Sequence, residues 1–136
     1  MATLKEQIIA VLETDAQLTG GTNLGDYLGK TANEPYGIYY IFPGDNPEPP
    51  FITAGITSQT NDLHFERNIL LTITAFGANF EAVLQQVKTL LEGWHTSSTD
   101  DYECISCQWE NSGPELWEDQ IKTYYRADTY RIKAIL

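Results

Sequence analysis

The chain reads as an α+β protein, a mainly antiparallel sheet of about five strands with two helices packed on one face, in the order α-β-β-β-α-β-β. Three observations lead there. The hydrophobic period changes from two to three-and-four between His64 and Trp94, which marks a strand followed by a helix. The remaining strand-like stretches alternate apolar and polar residues across hairpin-length connections, the pattern of half-buried antiparallel strands. The first residues carry an amphipathic stripe behind a helix-start signal.

Taken in order, Thr3 and Glu6 form a T-x-x-E capping box ahead of Leu4, Ile8, Val11 and Leu12, so the first helix is predicted from Leu4 to about Thr14. Residues 19–35 are rich in Gly and Asn and read as one long connection. Tyr36 to Phe42 is apolar on both faces, as an interior strand would be. Pro43 to Pro50 is a loop, stiffened by Pro47, Pro49 and Pro50 into an extended, exposed excursion. Phe51 to Thr60 is a weaker strand with Ile52, Ala54 and Ile56 on one side, and Asn61-Asp62 turns into the central strand. There Ile69, Leu71, Ile73 and Ala75 share the buried face.

Gly77 to Asn79 breaks that strand. Phe80, Val83, Leu84, Val87, Leu90, Leu91 and Trp94 then form one helical stripe, with Asn79 the expected N-cap and Gly93 the expected stop. After polar residues 96–101, Glu103 to Asn111 alternates with Ile105, Cys107 and Trp109 inward. Ser112 to Gln120 reads as a connection, and Thr123 to Ile135 is the last strand. Its apolar phase slips between Ala127 and Tyr130, which predicts a bulge near Arg126 to Asp128.

A length of 136 residues suits one domain, spanning 1–136, that buries ~68% of the surface its unfolded chain exposes. No apolar run approaches the ~18 residues of a membrane span, and Met1 to Glu6 lacks the cationic-then-apolar form of a signal peptide, so a soluble chain made in the cytoplasm is expected. The net charge of −11, from 8 basic against 19 acidic residues, argues against general affinity for phosphate backbones or anionic membranes. It fits a chain kept dispersed by repulsion, a surface facing a basic partner, or one past which nucleic acid slides without sticking.

No catalytic constellation is visible. Cys104 and Cys107 have C-x-x-C spacing, but on a strand residues three apart point to opposite faces, and a zinc site would need more ligands than His64 and His95 offer at usable spacing. G-x-S-x-G, G-x-G-x-x-G and P-loop motifs are all absent, and no cofactor or metal is expected. Two segments are candidates for contacts with partners or further copies. One is Leu116-Trp117, a large apolar pair flanked by Glu115 and Glu118 that either folds back onto the sheet or waits for a partner. The other is the 43–50 loop, with Asp45, Glu48, Pro49 and Pro50, which is either a rigid spacer or a contact surface.

The chain resembles the tail terminator, or tail completion, proteins of tailed bacteriophages and prophages. The resemblance is carried by the N-terminal helix Leu4 to Leu18, the proline-led aromatic strand Pro35 to Tyr40, the strand Ile69 to Phe76 with its following helix from Glu81, and the closing strand Tyr124 to Ile132. It is spread over nearly the whole chain rather than held in one signature, and the 43–50 loop and the cysteine pair lie outside it. It implies a non-enzymatic virion protein that forms a ring, often a hexamer, on the head-proximal end of the tail tube. Such a ring stops tube polymerisation and joins the capsid through a head-completion or connector protein, while DNA passes its centre unread. The residues alone leave open another head–tail joining role (stopper or connector) and an acidic binding module for a basic partner.

Overall fold

The structure, a computed structural model, describes residues 4–18, 20–28, 37–40, 49–61, 66–95 and 103–135. Among them the elements are α1 (Leu4–Ala16), α2 (Leu24–Leu28), β1 (Ile38–Tyr40), β2 (Phe51–Asn61), β3 (Glu66–Phe76), α3 (Phe80–Leu91), β4 (Glu103–Ser112), β5 (Leu116–Glu118) and β6 (Thr123–Ile135). The strands form one six-stranded sheet in the order β1-β2-β3-β6-β4, with β5 also pairing β6. Every pairing is antiparallel except β1 with β2. The α+β class stands, with one helix and one strand more than the sequence pattern announces.

The core lies between one face of the sheet and the helices. Ile69, Leu71, Ile73 and Ala75 of β3 sit at 1% exposure or less, joined by Ile52 and Ala54 of β2 and by Tyr130 and Ile132 of β6. Onto them α3 lowers Phe80, Val83, Leu84, Val87 and Leu91, and α1 lowers Leu4, Ile8 and Leu12. Each such side chain contributes roughly 1.5–3 kcal/mol by leaving water. The α3 stripe is the predicted one. Gly93 ends that helix with φ +81°, a conformation in which glycine carries no Cβ penalty.

The short α2 corrects the reading of 19–35 as plain connection. Its start is held from a distance: the buried Asp15 carboxylate, at the end of α1, accepts the Leu24 N–H at 2.7 Å and Gln86 Nε2 of α3 at 3.0 Å. Asp26 accepts three backbone N–H groups, from Gly20, Asn23 and Gly21, at 2.8, 3.0 and 3.1 Å. These bonds, led by that of Asn23, hold the Asp26 carboxyl below its ordinary value of 3.8. Asn79 does not cap α3 through its side chain; its Nδ2 instead donates to the Tyr27 carbonyl at 2.9 Å, tying α2 to the β3–α3 turn. Thr3 of the expected capping box, His64 and most of the 43–50 loop lie outside the described residues.

Two strand expectations change. β1 sits at the sheet's edge rather than inside it, and pairs parallel with β2 (Ile38 opposite Ile52). β6 carries no bulge against β3, since the register is continuous from Glu66↔Ile135 to Phe76↔Tyr125. The irregularities fall on β4, between Cys104 and Ser106 and between Trp109 and Asn111. The phase slip in β6 has another cause: Tyr125 and Ala127 face the side of the sheet away from the helices. On that side a second aromatic row crosses four strands, Tyr39–Phe51–Phe76–Tyr125, with ring centroids 5.8, 4.7 and 5.0 Å apart. Phe51 is fully buried there.

Candidate assembly surface

The segment Ser112 to Gln120 is not a free loop. Leu116–Glu118 forms β5, a hairpin arm on β6 with Leu116 opposite Tyr125 and Trp117 opposite Tyr124. Gly113 donates to the Ala127 carbonyl at 2.7 Å, so the chain follows β6 without a break between β4 and β5. The backbone polar groups are thus paired while the side chains stay out. Leu116, Trp117 and Tyr124 are 45%, 50% and 48% exposed. Trp117 stacks edge-on against Tyr124 at 4.9 Å, and its Nε1 donates to Asp119 Oδ1 at 3.3 Å. Glu115 is exposed beside them, and Glu118 accepts the Gln120 N–H at 3.2 Å. The hairpin therefore presents a pre-ordered Trp117–Tyr124 aromatic pair on one face and Leu116 on the other, with Glu115, Glu118 and Asp119 alongside.

Of the proline-loop candidates, Pro49 and Pro50 are described and Asp45 and Glu48 are not. Pro50 packs against Gly77, where an added Cβ would lie 3.0 Å from the proline's own Cβ. The φ of +143° at Gly77 likewise excludes larger residues. Pro49 and Pro50 form one wall of an open apolar hollow whose others are Tyr27, Ala78 and Asn79. Gly77 also donates to the Tyr124 carbonyl at 2.9 Å, so hollow and hairpin share one end of the sheet. Pro49 and Pro50 and the β5–β6 hairpin are thereby placed at the same end of the sheet.

A second feature was not anticipated. On the helix side, Lys88, Glu81 and Gln85 of α3 face Trp109 and Ser112 of β4 and Arg126 and Asp128 of β6 across a cleft of about 260 Å³. Lys88 Nζ lies 4.2 Å from the Trp109 ring centroid, and the Arg126 guanidinium 5.0 Å from that of Phe80. Asp128, 4% exposed, accepts the Ser112 hydroxyl at 2.6 Å. The cleft arises because Ala75 of β3 is paired with Arg126, placing that charge on the face otherwise given to the core. The nearest sequence signal was the apolar-phase slip itself.

Nothing in these surfaces assembles a nucleophile with a base. Cys107 is buried, and His95 is exposed just past α3. Among the described residues no cluster of His, Cys, Asp or Glu could hold a metal ion, and no helix is long and apolar enough to cross a membrane. The chain matches no protein-family model and no curated protein sequence. Among solved structures it is similar to a chain from the virion of a native gene transfer agent particle, at 13% identity and a TM-score of 0.61. The likeness covers 95% of this chain and 98% of that one, and at such identity it is a likeness of fold, nearly end to end.

Proposed function

We propose that this chain is a non-enzymatic virion structural protein of a tailed-phage type particle, acting as a tail terminator: a single domain that closes into a ring on the head-proximal end of the tail tube. The observation that carries the reading is the shared fold, over almost the full length of both chains, with a component of a gene transfer agent virion. The sequence resemblance narrows it to the terminator. In that role Pro49, Pro50, Glu115, Leu116, Trp117 and Glu118, together with Asp45 and Glu48, contribute to contacts with the tube protein, with a head-completion protein or with the next copy. Head-to-tail contacts close into rings only when each subunit offers two different complementary surfaces. The net charge of −11 suits a lumen through which DNA passes without binding.

The test is solution mass by light scattering over a concentration series, with and without tail-tube protein. A discrete oligomer near six subunits, alone or on meeting tube protein, supports the terminator. An oligomer that binds a connector but not tube protein moves the assignment to another head–tail joining role. A strict monomer indifferent to tube protein, yet able to compete DNA off a basic protein, replaces it with the acidic binding module.

A further inference from the structure

We infer that the ring closes by strand addition, β5 of one copy pairing antiparallel with β1 of the next copy, Trp117 opposite Ile38. The inference rests on the ring reading above and specifies its interface. β1 and β5 lie on opposite edges of the sheet but toward the same end. Ile38 is level with Ile52, Ala75 and Arg126, and Trp117 is level with Tyr124, two residues away along β6. Two residues rise about 7 Å, the kind of stagger a closing sheet takes. β2, β3, β6 and β5 alternate in direction while β1 runs with β2, so β1 and β5 point opposite ways. Copies set side by side in one orientation, as in a ring, therefore bring these two strands together antiparallel.

The backbone carries the groups for this pairing. The Tyr124 carbonyl accepts the Gly77 N–H on the β3 side, so Trp117, opposite Tyr124, points its own N–H and C=O outward. The Gly37 carbonyl accepts the Ile52 N–H, which turns the alternate residues Ile38 and Tyr40 outward from β2. Among the described residues none of these outward groups has a partner. The edge is closed elsewhere: beyond Ala54, where β1 no longer covers β2, the level strand on the far side is β4. There Trp109 N–H and the Cys107 carbonyl are engaged by Glu92 Oε2 (2.6 Å) and the Gly93 N–H (2.8 Å). Side chains choose the register. With Trp117 opposite Ile38, the half-exposed Leu116 comes beside Tyr39, the edge member of the aromatic row, and Glu115 comes opposite Tyr40. Lys5 is exposed with its Nζ 4.5 Å from the Tyr40 ring centroid, and among the described residues it has no carboxylate within ion-pair distance. Glu115 of the next copy supplies one. A slip of two residues, the smallest that keeps the faces matched, would set Glu118 against Tyr39 and carry Leu116 past Tyr40.

The experiment is cysteine cross-linking of the full chain. Leu116→Cys/Tyr39→Cys, mildly oxidised, should give a ladder of covalent oligomers that ends at the ring. Opposed residues of a pair without hydrogen bonds hold their Cα atoms about 4.5 Å apart, within disulfide reach. Each single variant should stop at a dimer, which controls for Cys104 and Cys107, and Glu118→Cys/Tyr39→Cys, the slipped register, should give no ladder. Trp117→Pro spares the subunit, because β5 bonds β6 through Leu116 and Glu118 and proline is tolerated where the N–H faces out. It should assemble about tenfold more weakly than Trp117→Ala, while circular dichroism shows both folded. Lys5→Glu and Glu115→Lys should each raise the assembly midpoint about threefold and together restore it, a measurement that stands even if Tyr39→Cys disturbs the fold. A wild type that oligomerises while Leu116→Cys/Tyr39→Cys gives no ladder overturns the strand contact and leaves the ring intact. So does a folded Trp117→Pro that assembles as well as Trp117→Ala, or a charge swap whose two losses add instead of cancelling. A wild type that stays monomeric, even with tube protein, removes the ring and the strand contact together.

Discussion

Trp117→Ala is the sharpest probe of the hairpin, because the structure separates what this side chain does for the subunit from what it has left to give a partner. A tryptophan brings up to about 250 Å² of surface to a contact. At 50% exposure, about 100–125 Å² is still in water. Burying that remainder at about 25 cal/mol per Å² contributes roughly 2.5–3 kcal/mol per interface, or about 100-fold in the dissociation constant. The half already packed makes an edge-on contact with Tyr124 worth roughly 0.5–1.5 kcal/mol, and β5 keeps its backbone pairing with β6 in the variant. Trp117→Ala should therefore lower the melting temperature by only a few degrees while shifting the assembly midpoint, or the affinity for tube protein, by one to two orders of magnitude. Sedimentation over a concentration series reads the second quantity and a thermal melt the first. Unchanged assembly with a large stability loss would refute the reasoning and make Trp117 a packing residue.

Three other perturbations test the frame that holds these surfaces. Tyr130 is fully buried and its hydroxyl has no partner among the described residues, so Tyr130→Phe should raise stability at neutral pH by about 1 kcal/mol in urea unfolding, and a loss would show the hydroxyl to be bonded. Burial, reinforced by Asp128, raises the Tyr130 phenol above its ordinary value of 10.0; stability is therefore complete below that pH and falls as pH rises past it, a decline Tyr130→Phe should lessen. The depressed Asp26 carboxyl has the opposite sign. Its contribution is present above pH 3.8 and is lost as pH falls below, so Asp26→Asn should flatten the acid limb of the unfolding profile, and parallel limbs would refute it. Gly25→Ala would drive a Cβ onto the Leu18 carbonyl oxygen and to 2.6 Å from that of Ala16, costing at least about 2 kcal/mol in the same urea assay; wild-type stability would show that α1 and α2 can part.

Where one face of an element is buried and the other wet, its sequence betrays it. β3 and α3 are of this kind, and so are the bounds of β6, because their neighbours along the chain carry the whole pattern. The misreadings share a physical cause. Period-two reasoning assumes a single buried face, yet the Tyr39–Phe51–Phe76–Tyr125 row makes a second apolar cluster on the other side. Tyr125 and Ala127 consequently looked like a slipped register. Tyr39, covering Phe51 at the edge, made β1 look like an interior strand. α2 was hidden differently, since Gly25 serves a close approach of helices rather than a turn, and Asp15 caps Leu24 from nine residues away. Long-range capping leaves no periodic trace.

The candidate surfaces follow the same logic. Leu116-Trp117 was legible as an apolar pair among acids, but its strand character comes from the partner it meets on β6, which local sequence does not encode. Lys88 and Arg126 were not legible at all. Lys88 sits on the polar side of a well-formed amphipathic helix, and Arg126 beside the apparent slip, thirty-eight positions away in the chain. Only the pairing of Ala75 with Arg126, and of β4 with β6, brings both beside Trp109. In a chain of net charge −11, the repulsion between copies is general and diffuse, whereas attraction must be local. Added salt screens the diffuse term across exposed surfaces and reaches a half-buried pair much less. A ring of such subunits should thus close more readily as ionic strength rises toward physiological values, whereas a contact held by ordinary surface ion pairs of the Arg131–Glu110 kind would loosen.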